Sequence, residues 1–384
     1  MTNANPVLEP QISSSEKKGF KVIVARAHLL NLIGKIQSAI PSKPAMPILS
    51  NLLMEAIDDQ LILTATDLTV TVRAFTEAKV VQKGAITLSA KRFFQLIREL
   101  TAAQIELEMG PSSIVQVRAG GSIFKLHGVS TEEYPALPNF SDAPAIAVHT
   151  PTLKELLTRT AFAVAKDDSR HVLNGVLFQL MQDKLVLIGT DGKRLAKITA
   201  DLAPQTTQGQ FIVPLKAIEE MNRCLDEEGS SKLYLAQDKI ALETPSATII
   251  SKLLLGEYPD VTRVIPTHAN INIHLHREEL TALLRQVALF TSEMSHSVRF
   301  SFTQGQLELS ATSAEVGEGK VAMPVDYAGE KFEIAFNPHF FIDILKHCQD
   351  ETVAFGITDS FNPGMITDQT TALFIIMPMR LSSN

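Results

Sequence analysis

Glu133-Tyr134-Pro135-Ala136-Leu137-Pro138 and Glu257-Tyr258-Pro259-Asp260-Val261 say nearly the same thing, with their tyrosines 124 residues apart. The interval recurs upstream: Thr66-Asp67 is followed 124 residues later by Thr190-Asp191. A third marker, Ala90-Lys91-Arg92-Phe93-Phe94, returns as Leu215-Lys216-Ala217-Ile218 and again as Pro338-His339-Phe340-Phe341, at steps of 125 and 123. The tail Ile375-Ile376-Met377-Pro378-Met379-Arg380-Leu381 reads as the closing phrase of a third copy. Markers that hold one period imply three tandem copies of one domain. A tripled unit suits a closed or stacked assembly better than an active site.

Bulk properties agree with three globular domains. The 384 residues are 45% hydrophobic and 20% charged, so each copy can bury its own core. The sequence has no run of about 18 apolar residues that would cross a membrane. Met1 to Lys18 is polar and lacks the apolar stretch of a signal peptide, so residues 1–19 are expected to be a disordered N-terminal extension. Cys224 and Cys348 fall in different copies with no CxxC neighbour, which fits a reducing cytoplasm and no metal site. The ten histidines are scattered without ligand spacing.

Within copy one, Phe20 to Val24 reads as a strand. Arg26 to Ile40 places Leu29, Leu30, Leu32, Ile33, Ile36 and Ile40 on one helical stripe, stopped by the loop Pro41 to Pro47. Leu52–Ile57, Leu61–Ala65 and Thr69–Phe75 alternate as strands, with Asp58-Asp59 and Asp67 at turns. Ser89 is a candidate cap for a second helix over Ala90 to Leu100, and three further strands follow. Copy two repeats the order with helices at Leu153–Ala165 and Leu215–Leu225, copy three with Glu278–Phe290 and Pro338–Cys348. The expected domains are 20–140, 147–266 and 271–384, each α+β with two helices on antiparallel sheet.

Charge sorts by element. Net charge is −7, yet the helical stretches 26–40, 91–99, 154–166, 216–223, 277–290 and 337–349 together carry net +6 and the remainder net −13. A basic helical face on an acidic body can meet phosphate without sticking to it everywhere. From charge alone, plain solvation of the helix faces explains the same pattern better. An enzymatic reading has less support. Gly189-Thr190-Asp191-Gly192 looks superficially like an acidic phosphatase turn, but its first-copy counterpart, Thr66-Asp67-Leu68, lacks the glycine, and a turn before a strand explains both. P-loop, HExxH and GxSxG patterns are missing from the sequence.

Met46-Pro47-Ile48-Leu49-Ser50-Asn51-Leu52-Leu53, Leu173-Asn174-Gly175-Val176-Leu177-Phe178, Thr190-Asp191-Gly192-Lys193-Arg194-Leu195 and the terminal Met377-Pro378-Met379-Arg380-Leu381 carry a resemblance. Over Phe20 to Leu381 the chain resembles the bacterial DNA polymerase III β subunit, the replication sliding clamp. The resemblance implies three clamp domains per chain, closed head to tail as a homodimer into a six-domain ring with helices lining the hole. It implies a non-catalytic processivity factor without cofactor or metal. Its partners would be double-stranded DNA of any sequence, the polymerase III catalytic subunit, the clamp loader and other proteins with a clamp-binding motif. The competing function is a three-domain peptide-binding scaffold that does not encircle DNA. Residues 1–19 and Ser382-Ser383-Asn384 depart from the family's usual ends.

Family matches nominate Lys43, Lys91, Lys166, Asp167, His171 and Val172 as the DNA-facing set, although Asp167 would repel phosphate. They nominate a peptide pocket between copies two and three. Its residues would be Leu173, Thr190, Gly192, Lys193, Arg194, Leu195, Pro259, Arg263, Val264, Ile375, Met377, Pro378, Met379 and Arg380. Leu, Val, Ile and Met suit an adaptable apolar groove, and Arg a polar rim. For chain closure the matches are Phe124 and Leu126 on one side, Leu289 and Phe290 on the other.

Overall fold

The computed structural model describes residues 19–110, 112–137, 140, 143–236, 238–292 and 296–380. The expected extension before Gly19, Pro138 and Asn139 of the first linker, and the tail from Leu381 to Asn384 lie outside the described residues. Copy one runs β1 (Lys21–Ala25), α1 (Arg26–Ile36), β2 (Asn51–Ile57), β3 (Gln60–Thr66), β4 (Val70–Glu77), β5 (Lys79–Gln82), β6 (Gly84–Ser89), α2 (Ala90–Glu99), β7 (Gln104–Met109), β8 (Ile114–Ala119) and β9 (Ser122–Val129). Copy two runs β10 (Ala145–His149), α3 (Thr150–Ala161), β11 (Gly175–Leu180), β12 (Lys184–Thr190), β13 (Arg194–Asp201), β14 (Gly209–Pro214), α4 (Leu215–Cys224), β15 (Ser230–Leu235), β16 (Lys239–Glu243) and β17 (Ala247–Lys252). Copy three runs β18 (Ile271–His276), α5 (Arg277–Ala288), β19 (Val298–Thr303), β20 (Gln306–Ser313), β21 (Gly317–Pro324), β22 (Phe332–Phe336), α6 (Pro338–His347), β23 (Thr352–Ile357), β24 (Gly364–Thr367) and β25 (Leu373–Ile376).

These strands form two four-stranded antiparallel sheets per copy. In copy one the first sheet has the order β4-β3-β2-β6 and the second β9-β8-β7-β1, with β5 added beyond β1. Two compact units result. The first unit, residues 1–154 and 216–253, fuses copy two's second sheet (β17-β16-β15-β10) to the β4 edge, and the whole is a 13-stranded sheet. The second unit, residues 155–215 and 254–384, fuses copy two's first sheet (β14-β11-β12-β13) to copy three's second sheet (β25-β24-β23-β18) in one eight-stranded sheet. Copy three's first sheet, β21-β20-β19-β22, stands alone. The units thus follow the fused sheets, because a shared ladder of backbone hydrogen bonds ties two copies together more tightly than a linker does.

Inside each joint the same contacts recur at the repeat interval. β4 pairs with β17 through Val72↔Ile249, and β13 with β25 through Ala196↔Phe374. In the first unit Lys35 of α1 donates to the Ser246 hydroxyl, Ser38 Oγ donates to Glu220 Oε2 at 2.7 Å, and Lys216 Nζ meets Asp67 Oδ2 at 2.5 Å. In the second unit Arg159 of α3 donates to Thr370 Oγ1 at 2.9 Å and pairs with Asp368 at 2.5 Å, while Arg194 Nη1 pairs with Asp343 Oδ2 at 2.8 Å. Lys35 and Arg159 occupy the same helical position, and Ser246 and Thr370 the same hairpin tip. Burial alone would raise Asp67 and Asp343, but hydrogen bonds from Lys216 to the first and from Arg194 and Lys346 to the second outweigh it and hold both below the usual carboxylate range.

The repeated phrase has a matching physical cause in both copies. Tyr134 Oη donates to the carbonyl of Thr64 at 3.1 Å and Tyr258 Oη to that of Ile188 at 3.3 Å, each 70 residues upstream. The Thr-Asp turns also match. Thr66 and Thr190 donate to the carbonyls of Val70 and Arg194, and the Asp67 and Asp191 carboxylates accept the two backbone N–H groups that close each turn. The turn needs left-handed backbone at its third residue. Gly192 supplies it at φ 80°, and Leu68 adopts it at φ 75° without being glycine.

Several expectations need correction. The tail is not the third counterpart of the Tyr-Pro phrase: Ile375 pairs with Leu195 as Ile250 pairs with Thr71, so the tail matches the strand that precedes that phrase. The first helix ends at Ile36, and a 3-10 turn over Gln37–Ala39 leads into Pro41. α3 begins at Thr150 and ends at Ala161, earlier than the apolar stripe suggested. Ser89 makes no capping bond to α2, whereas Asn337 caps α6 by accepting from the His339 N–H at 2.9 Å. Both cysteines are buried.

His347 gives the second unit a pH signature. Its ring stacks on Phe162 with centroids 4.0 Å apart, and its Nδ1 lies 2.7 Å from the Asp343 carbonyl. Burial lowers its pKa, against opposing effects of Asp343 that raise it. The folded state therefore disfavours the charged ring. Its contribution is intact above about pH 6.5, is lost as pH falls from there through the lower folded value, and levels off below that. Urea unfolding should show the second unit weakening as pH falls below about 6.5, by at most about 1.4 kcal/mol per pH unit from this group. In His347→Phe that part of the slope should vanish, and an unchanged slope would locate the proton elsewhere.

Candidate functional site

The second unit holds a cavity of about 140 Å³ built by four segments. The 3-10 turn His171–Asn174 contributes Leu173, and the turn between β12 and β13 contributes Thr190, Gly192, Arg194 and Leu195. The turn around Val261–Val264 adds Pro259 and Val264, and the end of β25 adds Ile375 and Met377. Beneath it lies a packed cluster that includes Leu177, Val186, Ile188 and Tyr258. Nine nominated residues are thus brought together. Arg170, Asp260 and Val261 also line the cavity and were not nominated. The signal for Arg170 was its position two residues after Asp168, whose carboxylate accepts from Arg170 Nε and Nη2, both at 2.9 Å. Those bonds hold Asp168 at about 2.

Arg194 forms the rigid wall. Its guanidinium lies between the Phe162 and Phe340 rings, 5.4 and 4.6 Å from their centroids, and donates to the Phe162 carbonyl at 2.9 Å. Asp191 at 3.2 Å and Asp343 at 2.8 Å give the cation two carboxylate partners. Val264 and Met377 are 40% and 38% exposed, so the cavity presents free apolar surface at its mouth.

Five other nominated pocket residues are not part of this cavity. Lys193 offers its carbonyl to the Met377 N–H at 2.9 Å, and Arg263 points outward to Asp260 at 3.1 Å. Pro378, Met379 and Arg380 line a second hollow of the same unit with Ser360 and Phe361. Residues 377–379 do not continue β25, which ends at Ile376, because Pro378 has no N–H to extend the ladder, and Met379 makes one bridge to Ala335. Phe361, 86% exposed, was not nominated.

The nominated DNA-facing residues are surface groups on two units. Lys43 lies in the loop after α1 and Lys91 is the second residue of α2, both exposed. In the second unit Lys166, Asp167 and His171 are exposed and Val172 is half-buried. Their loop is pinned by Asn174, whose side chain accepts from the Asp168 N–H at 3.0 Å and donates to the Asp168 carbonyl at 3.1 Å.

Of the closure residues, Phe124 lies exposed on β9 and Leu126 is half-buried there. Leu289 is 74% exposed just past α5, and the half-buried Phe290 ring lies over Gly319 of β21, where a β-carbon would collide with it. Among the described residues, no three His, Cys, Asp or Glu side chains gather as a metal site, and no helix is long and apolar enough to cross a membrane.

Three family models match in order: the DNA polymerase III beta subunit N-terminal domain over residues 20–138, its central domain over 147–260 and its C-terminal domain over 262–380. The beta sliding clamp of Chlamydia pneumoniae is 50% identical over 362 residues, 94% of this chain and 99% of that protein. That of Escherichia coli K12 is 30% identical over 368 residues, 94% of this chain and 100% of the other. Among solved structures, a DnaN sliding clamp from Pseudomonas aeruginosa bound to griselimycin superposes with a TM-score of 0.90 at 29% identity, and the Bacillus subtilis DNA polymerase sliding clamp with 0.90 at 26%. Each comparison covers 94% of this chain and 100% of the other. Three consecutive matches, with tandem clamp domains and relatives aligned over nearly their whole length, place this chain in the DNA polymerase III beta subunit family, the bacterial sliding clamps.

Proposed function

We propose that this sliding clamp, a non-catalytic processivity subunit by its family, works as a head-to-tail ring of two chains around duplex DNA and tethers partners through the cavity behind Arg194. One observation carries the closure. Each joint inside the chain fuses the first sheet of one copy to the second sheet of the next, and two sheets are left over. Copy three's first sheet ends at β21, and in copy one β9 pairs only with β8 over residues 122–127. An unpaired strand edge is a template for another strand. Carrying the register of the first joint forward, with Ser246 matched to Gly121 and Asp67 to Ala314, sets Phe124 of one chain against Gly319 of the other, and Lys125 against Glu318. The opposed charges favour that register, and Phe124 then falls beside the Phe290 ring. Heterologous contacts that close by rotation give rings.

The ring would hold DNA topologically. Exposed Lys43, Lys91 and Lys166 suit weak phosphate contact, which lets a ring slide and reads no base sequence. The cavity suits a short peptide with apolar anchors, supplied by the polymerase, the clamp loader or other clamp-binding proteins. The domain limits 20–140, 147–266 and 271–384 and a cytoplasmic location are part of this reading. A scaffold that binds peptides without encircling DNA would leave both edges unexplained.

Closure can be tested with a disulfide. The native thiols are buried and pushed up to about 12, so an introduced pair is the reactive one. Lys125→Cys with Glu318→Cys should oxidise to covalent dimers, and Lys125→Cys with Lys320→Cys should do so far less. Once loaded onto nicked circular duplex, the oxidised dimer should stay bound through high salt and leave when the DNA is cut. Monomers, or rings lost equally from circular and linear DNA, would refute encirclement. For the cavity, Val264→Ser and Met377→Ser should each weaken a Gln-containing clamp-binding peptide at least about tenfold by fluorescence anisotropy, with dimerisation unchanged. Unaltered affinity in both would move the peptide site elsewhere.

A further inference from the structure

The positive charge that gathers on the helices is mostly spent inside the fold. In α3 Lys154 pairs with Glu227 at 2.6 Å, and the buried Arg159 pairs with Glu155 and Asp368. In α4 Lys216 pairs with Asp67, and Arg223 with Glu220 at 2.7 Å. In α6 Lys346 pairs with Asp343 at 3.2 Å, and in α1 Lys35 is mostly buried beside Ser246 and Asp226. Helix α2 differs. Its Lys91, Arg92 and Arg98 are exposed, and among the described residues none of the three meets a carboxylate; Arg98 donates to the neutral Gln37 side chain. The cause sits at one repeat position. Arg98, Arg223 and Lys346 each stand eight residues after the start of α2, α4 and α6. The carboxylates Glu220 and Asp343 stand five residues after the start of theirs, and that place in α2 is Gln95. The i, i+3 ion pair that neutralises the other two helices therefore has no acid in α2.

Lys91, Gln95 and Arg98 follow at i, i+4 and i+7 and so share one face, with Arg92 beside it. Arg26 of α1 supports that face. Its guanidinium donates to the carbonyls of Ile97 at 3.2 Å and Arg98 at 2.8 Å, which offsets the negative C-terminal end of α2. On α2 three cations stand against the single carboxylate of Glu99, whereas α4 has two against two and α6 one against one. Helix α5 offers one exposed cation without a carboxylate, Arg285, on a helix that also carries Glu278 and Glu279. We propose that α2 makes the helical phosphate contact of this chain, with Arg92 and Arg98 joining Lys91, and that Gln95 keeps Arg98 available by denying it an internal carboxylate. The ligand is the phosphodiester backbone of duplex DNA, and the proposal rests on the duplex-encircling reading above. A free guanidinium takes up a phosphate directly, whereas a paired cation must first give up its carboxylate. Contact limited to one helix per chain holds few phosphates at once, which suits sliding.

The test is binding to a short linear duplex, read by fluorescence anisotropy across a salt series, with fold and dimer state checked by circular dichroism and sedimentation. Arg92→Gln and Arg98→Gln should each weaken binding at least about threefold and lower the salt slope by about 0.9. Lys154→Gln and Lys346→Gln remove cations that are already paired and should leave the slope unchanged. Gln95→Glu removes no cation, yet it should weaken binding as much as Arg98→Gln does, because it gives Arg98 the partner that Arg223 has in α4. Ala282→Glu, the same added charge on the exposed side of α5, should do less. Equal losses in the α2 variants and in Lys154→Gln and Lys346→Gln would overturn the proposal and spread the contact over all the helices. Wild-type affinity in every α2 variant would overturn it outright. A wild type that binds no duplex even at low salt would instead remove the duplex reading on which it rests.

Discussion

The structure depends on an unsatisfied sheet edge. Copies one and two each end the first sheet in a strand whose outer N–H and C=O groups are met by the second sheet of the next copy. β4 finds β17 and β13 finds β25. Backbone groups removed from water must be paired, so the edge strands dictate that copies join in series and in one direction. The polar contacts around each joint then fix the register that the ladder alone leaves free to slip by two residues.

This constraint shapes the cavity as well. Arg194 opens β13, the strand that makes the second joint, and its guanidinium is held by Asp343 from α6 of the neighbouring copy. Ile375 and Met377 come from or follow β25, the other strand of that joint. The pocket is therefore a by-product of joining two copies, and a single copy would hold only part of its wall. The equivalent turn of the first joint carries Leu68 where the second carries Gly192, so the same left-handed backbone presents an apolar side chain there.

Acid–base behaviour follows from the same contacts. Asp67, Asp343 and Asp368 are held below the usual carboxylate range despite burial, each by a hydrogen bond from across its joint or its own turn. Their contribution is present above the unfolded carboxylate value and fades as pH falls through the lower folded one, so acid should loosen joints before cores. The buried pair Glu55–Arg73, 3.1 Å apart, behaves differently: burial raises Glu55 more than Arg73 lowers it. Such a pair favours one register of β2 and β4 more than it adds stability.

Much of this was legible in the chain. The repeat interval is written into Tyr134 and Tyr258 and into Thr66 and Thr190, because each of these residues makes the same bond in its own copy. Apolar periodicity located the helices, and the pocket's composition was visible in Leu195, Val264 and Met377. Helix ends were less legible: Ser89 has the right chemistry for a cap and makes no capping bond, since the backbone there turns another way. Which strands pair across copies was not legible, because β-ladder partners lie far apart in sequence and share only a face pattern. The tail was misaligned for that reason, and Arg170, Asp260 and Phe361 went unnamed because only the folded second unit brings them to its two hollows. The sequence by itself determined the unit, its repetition and its chemistry. The tertiary structure decided which edges meet, since hydrogen bonding between strands depends on proximity that no local preference encodes.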